Sequence, residues 1–351
     1  KWFEQEIAYQ IYEDGTFLQF SMNYHRVVVQ LLTWGIQLAK LNDDKFSNVV
    51  YVRAQKSLDF LDASMDPITG KMPNYGSNDG ALFFKLTNDD YRVYRSQLDD
   101  LRAVLNGFTN AESKSFLWYG VEATQKTLEK SPEISTFEKG GYYISQDGNT
   151  KTFIRCGAYN DRPAQSDNLH IDIWANGINY LRDTGSYKYN ADLEDVNYFN
   201  GTEGHNTVSI AKADQMQKGG RFIWYYWIKK AKASLIKEKN TFQFEGTIEA
   251  FKQLGNNIQH TRKVTKKLAK NHWQITDIIE NKGNRQVYQY WHLHPDYVSE
   301  IEIITTDKDG KQIEPLKEEK WFSGYYGVKE KAIRLTFATE KNIFNTTIQI
   351  K

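Results

Sequence analysis

The spacing of apolar residues changes partway along this 351-residue chain, and the change predicts two parts of different architecture. In the first part, apolar residues recur every three or four positions, as they do from Val27 to Leu41, which is the pattern of amphipathic helices. In the second part, runs such as 242–248 alternate with a period of two and are separated by turn residues. We therefore predict helices over residues 1–133 and a large antiparallel β-sandwich over residues 134–351.

Composition excludes several classes of protein. The chain has 45 lysines and arginines against 44 aspartates and glutamates, so no overall field would attract nucleic acid or an acidic membrane. Its single cysteine, Cys156, excludes an internal disulfide framework and a cysteine-based metal site. No apolar run approaches the roughly 20 residues of a membrane span. The charged, amphipathic start at Lys1–Glu6 resembles the inside of a helix, so we expect a fragment or a processed chain.

A long break interrupts the helical part. The segment Asp66–Gly80 contains two prolines and three glycines, which end helices and favour turns. It predicts a long structured loop, and such loops on a helical scaffold often carry function.

A β-hairpin is predicted around Asn176-Gly177, because this dipeptide is the strongest short signal for a two-residue type I′ turn. If Ala175 pairs with Ile178, then His170 lies directly opposite Asp183. The Cβ atoms of directly opposed residues are about 4.5–5.5 Å apart. Turn chemistry alone would therefore bring an imidazole and a carboxylate together.

His205 opens another strand-like run nearby in the sequence. Two histidines and one aspartate form a zinc-type ligand set with one position left open. A hydrogen bond between His170 and Asp183 on the sheet surface, without a metal, is an equally good interpretation of the spacing.

Short motifs in both parts resemble the heparinase II/III family of polysaccharide lyases. They occur in family order along nearly the whole chain, at Gln19–Arg26, His170–Asp172, Asp183–Tyr187, Gly204–Val208 and Trp291–Pro295. The resemblance implies an α+β multidomain fold, in which an incomplete α/α toroid is followed by a large antiparallel β-sandwich. It also implies β-elimination of uronate-containing polysaccharides such as heparan sulfate or alginate.

β-Elimination explains why the family uses a tyrosine. The enzyme must remove the C5 proton of a uronate and protonate the departing 4-oxygen. A tyrosine suits this when a cationic or metal-rich pocket lowers its pKa from about 10. The resemblance assigns general-acid catalysis to Tyr24, with His25 as a second catalytic candidate and Arg26 as a clamp for the substrate carboxylate. The alternatives are that His25 is a helix residue with its hydrogen bonds made inside the protein, and that Arg26 is exposed to solvent.

The resemblance also assigns a divalent metal, expected to be Zn²⁺, to His170, Asp183 and His205. Some family members place a catalytic histidine two positions before the first ligand, where this chain has Asn168. The general base is therefore Tyr24 or His170, and His170 cannot ligate a metal and accept a proton through the same nitrogen.

Several further residues are candidates for binding the substrate. The loop Asn74–Asp79 would lie at the rim of the toroid, where substrate approaches, and a purely structural turn is an equally good interpretation. Tyr189 follows the predicted hairpin, and Arg155 and Arg162 flank the approach to it. The set is Asn78, Asp79, Arg155, Asn168 and Tyr189.

One departure from the family concerns the substrate carboxylate. The family neutralises it with an asparagine from a toroid helix well upstream of the catalytic tyrosine, whereas only 23 residues precede Tyr24. We therefore expect the N-terminal toroid segment to be missing from this chain.

The leading hypothesis is a bacterial polysaccharide lyase, periplasmic or secreted, whose partner is an acidic polysaccharide. The alternatives are a non-catalytic glycan-binding or exopolysaccharide-assembly protein and a metal-dependent glycan hydrolase.

Overall fold

The computed structural model describes residues 1–110, 114–127, 132–220 and 222–351. Most of the α-helices lie in the first third of the chain, and one short helix is inserted between strands. They are α1 (Trp2–Gln10), α2 (Met22–Leu41), α3 (Asn48–Ser64), α4 (Arg95–Asn106) and α5 (Leu193–Asn200). Short 3-10 helices cover Ser115–Tyr119, Thr202–Gly204 and Pro295–Glu300.

Helix α2 carries Tyr24 near its N-terminus, and local signals define where it begins. Ser21 is the N-cap, because its backbone is extended and its hydroxyl accepts a hydrogen bond from the Tyr24 backbone N–H at 3.1 Å. Apolar residues on the inner side, among them Leu32 and Ile36, are fully buried. The helix packs against α4 and α3, so its orientation is set by this apolar stripe.

The strands begin after α4 and fill the rest of the chain. They are β1 (Phe108–Thr109), β2 (Thr124–Gln125), β3 (Ile134–Phe137), β4 (Tyr142–Asp147), β5 (Thr150–Arg155), β6 (Ile171–Ala175), β7 (Ile178–Leu181), β8 (Val208–Ile210), β9 (Gln217–Lys218), β10 (Trp224–Tyr225), β11 (Ala231–Glu238), β12 (Thr241–Glu249), β13 (Gln259–Lys267), β14 (His272–Glu280), β15 (Val287–Leu293), β16 (Ile301–Asp307), β17 (Gln312–Ile313), β18 (Leu316–Tyr325), β19 (Val328–Thr339) and β20 (Ile343–Ile350).

Two large antiparallel sheets form the sandwich. Within the described residues, the first sheet has the strand order β18-β19-β15-β7-β6-β5-β4-β3, and β8 also pairs with β15. The second sheet has the order β11-β12-β13-β14-β20-β16-β17. The predicted fold, an incomplete helical toroid followed by an antiparallel sandwich, is therefore confirmed.

Burial alternates along the strands of the second sheet, as the period of two predicts. In β12 the buried positions are apolar, such as Phe242 and Phe244. In β13 the buried positions instead include His260 and Arg262, both fully buried. Their partner is Asp277 on β14, whose carboxylate accepts hydrogen bonds at 2.7 Å from Nε of Arg262 and 2.7 Å from Nε2 of His260. The core thus contains a paired charge where a plain sandwich would have apolar side chains.

The predicted long loop lies between α3 and α4 and is fastened to the sandwich. The Asn74 side chain donates to the Ser323 carbonyl at 2.8 Å, and the Asn78 backbone N–H donates to the Ser186 hydroxyl at 2.8 Å. The loop therefore joins the helices to the sheets. No helix in the described part of the chain is long and apolar enough to cross a membrane.

Candidate active site

The β6–β7 hairpin forms around the predicted turn. Asn176 and Gly177 have φ values of 52° and 80°, both in the left-handed region that a type I′ turn requires. Ala175 pairs with Ile178 across it, as the sequence predicts.

A β-bulge then shifts the register by one residue, so that Ile173 pairs with Leu181. The predicted direct pairing of His170 with Asp183 is therefore wrong. The two side chains still meet, because Asp183 lies beyond the end of β7. Its Oδ2 atom is 3.8 Å from Nε2 of His170 and 2.9 Å from Nδ1 of His205. We refer to His170, Asp183 and His205 as the buried histidine cluster.

The buried histidine cluster is sealed from solvent, since all three residues have zero exposure. Burial alone would lower the pKa of His205 and raise that of Asp183. Their mutual attraction outweighs burial, so the pKa of His205 lies above its ordinary value and the pKa of Asp183 lies below its own. The two residues therefore form a charge-assisted hydrogen bond.

Asn206, next to His205, organises the surroundings of the cluster. Its backbone N–H donates to Nδ1 of His170 at 3.0 Å. Its side-chain amide donates to the carbonyls of Ile171 (2.8 Å) and Arg182 (3.3 Å) and accepts from the backbone N–H of His292 (2.7 Å). One buried asparagine thus ties together three strands and orients one ring of the cluster.

Arg262 connects the same region to the second sheet. Its Nη1 donates to the carbonyls of Leu169 and Asn206, each at 2.6 Å. These residues adjoin His170 and His205, so one guanidinium holds both histidine-bearing segments, while Asp277 neutralises its charge.

The cluster fits a tetrahedral divalent metal in donor type and spacing. Its three ligand atoms lie within 4.8 Å of one another. Zinc–nitrogen distances of about 2.0–2.1 Å place tetrahedral ligand atoms about 3.3 Å apart, and the distances of 2.9 and 3.8 Å bracket that value. Nε2 of His205 is buried without a hydrogen-bond partner among the described residues, so His205 offers a metal either Nε2 or the Nδ1 atom from which the 2.9 Å distance is measured. Because Nδ1 of His170 accepts from Asn206, the neutral ring carries its proton on Nε2. A metal bound through that Nε2 requires the proton to move to Nδ1 and the Asn206 hydrogen bond to be given up.

A cleft of about 340 Å³ lies between the start of α2, the long loop and the loops of the first sheet. It brings residues from both parts of the chain to one surface. It is lined by Leu18, Gln19, Tyr24, Ser77, Arg162, Pro163, Ala164, Ser186, Lys188, Tyr189, Val196, Asn200 and Phe222.

Tyr24 and Tyr189 meet in this cleft, where their hydroxyl groups form a short hydrogen bond. Burial raises the pKa of Tyr24 well above 10, and the bond to Tyr189 and the nearby charge of Asp79 raise it further. The expected lowering of this pKa by a cationic pocket is therefore wrong for the cleft without substrate. Tyr24 carries its proton at neutral pH.

His25 does not reach the cleft. It is 1% exposed, with its ring between Phe17 and Phe60, and its Nε2 lies 3.0 Å from the Ser57 hydroxyl. Burial lowers its pKa to about 3. Successive helix residues point about 100° apart and Tyr24 takes the cleft side, so the position of the His25 ring does not support the catalytic role predicted for it.

Arg26 and Arg155, both predicted to bind substrate, are fully buried, and this burial does not support the prediction. The Arg26 guanidinium lies between the rings of Tyr91 and Tyr94, 4.2 and 4.3 Å from their centroids. Arg155 lies among aromatic rings, and its Nε donates to the Tyr75 hydroxyl at 3.0 Å. Their charges stabilise packing and are not available to an anion in the cleft.

Asn168 and His170 have zero exposure, so neither reaches a substrate in the cleft. The Asn168 side chain accepts from the Gly157 backbone N–H at 2.8 Å. A catalytic role for His170 and a substrate-binding role for Asn168 are therefore not supported by the geometry.

Asn78 and Asp79 are half-buried beside the cleft. Asp79 accepts a hydrogen bond from the Asn23 side chain at 3.2 Å and lies close enough to Tyr24 to affect its pKa.

Lys188 and Phe222 also line the cleft, and neither was predicted from the sequence. Lys188 lies between the two tyrosines that follow the hairpin, so it could have been found as the cation next to Tyr189. Phe222 comes from a distant short hairpin, and nothing in the local sequence links it to Tyr24.

Comparisons with known proteins agree with this architecture. A family model described as heparinase II/III-like, C-terminal, matches residues 129–351. A heparin-sulfate lyase from Bacteroides thetaiotaomicron is 24% identical over 333 residues, which cover 87% of this chain and 43% of that protein. A heparin-sulfate lyase from Bacteroides stercoris is 25% identical over 216 residues, covering 59% of this chain and 30% of that protein. The chain thus spans less than half the length of these curated relatives.

The crystal structure of heparan sulfate lyase HepC from Pedobacter heparinus has the same fold. It superposes with a TM-score of 0.75 at 18% identity, over 98% of this chain and 54% of that one. The family match covers more than half of the residues, and the motifs from which the resemblance was inferred lie in both parts of the fold. The chain therefore belongs to the heparinase II/III-like family.

Proposed function

We propose that this chain forms the active-site cleft of a polysaccharide lyase that cleaves an acidic, uronate-bearing glycan by β-elimination, with Tyr24 as the proton donor. The observation that carries the proposal is the hydrogen-bonded pair Tyr24–Tyr189 in a cleft that also contains Arg162 and Lys188. The curated relatives named as heparin-sulfate lyases support the same class of substrate.

Tyr24 is protonated at neutral pH, as a proton donor must be before the reaction. In β-elimination the departing 4-oxygen needs a proton, and a phenol that is protonated at neutral pH can supply it. Tyr189 holds the Tyr24 hydroxyl in place, and the two cations attract the carboxylates of the glycan.

We also propose that the buried histidine cluster holds a divalent metal, with Zn²⁺ as the expected ion. When bound, the ion would supply a positive charge that fixes the geometry of three chain segments. Asp183 is three residues before Ser186 and six before Tyr189, both of which line the cleft. The cluster would therefore stabilise the segment that presents Tyr189.

The hydrolase alternative requires a metal-bound water to reach a polymer. The cluster has zero exposure and is not part of the cleft lining, which favours a structural role. Because polysaccharides of this class are too large to enter a cell intact, we propose that the protein acts in the periplasm or outside the bacterium.

The test is turnover of a panel of uronate polysaccharides by the protein that contains this chain, followed by absorbance of the 4,5-unsaturated product. Product that absorbs, lost in Tyr24→Phe, supports the lyase. Cleavage without the chromophore would indicate the hydrolase, and binding without cleavage would indicate the glycan-binding protein. Either of these results would overturn the proposal.

A further inference from the structure

Four exposed apolar residues lie within five positions of the sequence beside the cleft. Phe222, Ile223, Tyr225 and Tyr226 are 43%, 51%, 53% and 52% exposed, respectively. We refer to these four residues as the aromatic patch. Ile223 and Tyr225 both lie against Gly219, so at least these two exposed side chains are neighbours, and clustered apolar exposure often marks a binding surface.

The aromatic patch stands on a well-anchored hairpin. Strands β9 and β10 pair with each other and belong to neither large sheet in the described part of the chain. Trp224, in the middle of the patch sequence, is 3% exposed, and its Nε1 donates to the Ala164 carbonyl at 3.3 Å. The hairpin is therefore held by one buried indole, while its neighbours remain in solvent.

Gly219 lets one of the exposed rings lie against the backbone. A Cβ atom at this position would be 2.8 Å from Cε2 of Tyr225. The Tyr225 ring thus packs along one edge on bare main chain and exposes the rest of its surface. Such a supported ring loses little conformational freedom when a ligand binds to it.

The aromatic patch is continuous with the cleft. Phe222 is one of the cleft-lining residues, and its ring meets that of Tyr189 edge-on, with centroids 5.4 Å apart. The guanidinium carbon of Arg162 lies 5.4 Å from the centroid of the Phe222 ring. Nζ of Lys229 lies 4.8 Å from the Trp227 ring and donates to the Tyr159 carbonyl at 2.8 Å. Aromatic rings and cationic side chains are therefore neighbours at both ends of the segment 222–229.

We infer that the aromatic patch binds further sugar residues of the acidic polysaccharide whose scissile bond lies in the cleft. This inference rests on the proposed function and adds the direction in which the polymer leaves the cleft. Tyrosine rings present an apolar face to the C–H face of a sugar and a hydroxyl to its polar edge. Arg162 and Lys229 match the carboxylate or sulfate groups of such a chain. The patch thus favours long substrates over short ones.

The test compares the Tyr225→Ala/Tyr226→Ala double variant with the wild type. We expect KM for the polymer to rise roughly tenfold with kcat unchanged, and KM for the shortest cleavable oligosaccharide to stay the same. Tyr225→Phe/Tyr226→Phe, which keeps both rings, should retain most of the wild-type KM. Phe222 is left intact because it lines the cleft. Trp118→Ala is the matched control, since Trp118 is 76% exposed on the helical part and is not a cleft residue.

A second readout does not depend on turnover. In a Tyr24→Phe background, gels containing heparan sulfate, chondroitin sulfate or alginate should retard the protein less when both patch tyrosines are replaced. If the wild type cleaves a polymer and the double variant has the same KM and retardation, the patch inference fails alone. If the wild type neither binds nor cleaves any of the three, the proposed function fails and the inference with it. A shift from dimer to monomer on sedimentation of the double variant would show that the patch binds a second copy, which overturns the inference.

Discussion

The hydroxyl group of Tyr24, on helix α2, hydrogen-bonds the hydroxyl group of Tyr189, which follows the β6–β7 hairpin in the sandwich. The bond crosses the border between the helical part and the sheets. The protonation of one candidate catalytic group is therefore controlled by both parts of the protein.

Replacing Tyr24 by phenylalanine should abolish elimination and leave the fold intact. The loss of a general acid typically reduces the rate by about 10²–10⁴-fold. The change removes one hydroxyl from a half-buried ring, so the free energy of unfolding should fall by only about 1 kcal/mol. Product absorbance and thermal unfolding measure the two effects. Tyr51→Phe, at a half-buried tyrosine on α3, is the control, and full activity of Tyr24→Phe would contradict the mechanism.

Replacing Tyr189 by phenylalanine should move the alkaline limit of activity to lower pH. The pKa of Tyr24 is raised first by burial and then by the bond to Tyr189, so removing that bond lowers it. A proton donor works while it is protonated, and its activity is lost as pH rises through its pKa. The alkaline side of the kcat/KM profile, followed from about pH 10 to the highest pH at which the protein stays folded, measures the limit. An unmoved limit, or one that moves upward, would show that Tyr189 does not act on Tyr24.

Replacing His205 by alanine should remove the bound metal and destabilise the sandwich. Loss of one partner from a buried charge pair costs about 3–5 kcal/mol, because Asp183 would remain buried without its counter-charge. Elemental analysis and thermal unfolding with and without a chelator measure both effects. His272→Ala, at a histidine outside the cluster, should keep the metal. If the wild type does not bind Zn²⁺ in equilibrium dialysis, the proposed metal site is wrong and the cluster is held by hydrogen bonds only.

Replacing Arg262 by methionine should cost about 3–5 kcal/mol, because the buried Asp277 carboxylate would lose its cation and keep only its hydrogen bonds with His260 and Gln289. Burial alone would raise the pKa of Asp277, but Arg262 and His260 hold it well below its usual range. The pair therefore stabilises the wild type fully above the unfolded pKa of about 3.9 and progressively less as pH falls below it.

Urea unfolding as a function of pH tests this contribution. The acid-side loss of stability should be smaller in Arg262→Met than in the wild type. Lys263→Met is the control on the same strand, since Lys263 faces solvent and pairs with Glu245 at 3.2 Å. Equal losses in the two variants would show that the buried pair does not hold the core.

The sequence predicted the β6–β7 turn because its chemistry is local. The bulge that follows was not predictable, because an extra residue in one strand depends on how Leu181 fits its partners across the sheet. Asp183 and His170 met despite the shifted register, since Asp183 lies past the end of the strand. The hairpin rule therefore predicted correctly that His170 and Asp183 are close, although the register it assumed was wrong.

The directions of side chains on α2 were harder to predict. Tyr24, His25 and Arg26 are consecutive, and the motif alone does not show which of them faces the cleft. The segment between the long loop and α4 covers the side that carries Arg26, and the carbonyl of Tyr91 accepts a hydrogen bond from its guanidinium. A polar residue can look exposed in sequence and be buried by a segment that lies 65 positions away.

The ties between the long loop and the sandwich also bear on how such proteins evolve. Asn74 bonds to Ser323 and Asn78 bonds to Ser186, so the segments beside the cleft come from both parts of the chain. A recombination event that exchanged the sheets without the loop would lose matching donors and acceptors. Selection must therefore act on helices and sheets as a single inherited unit.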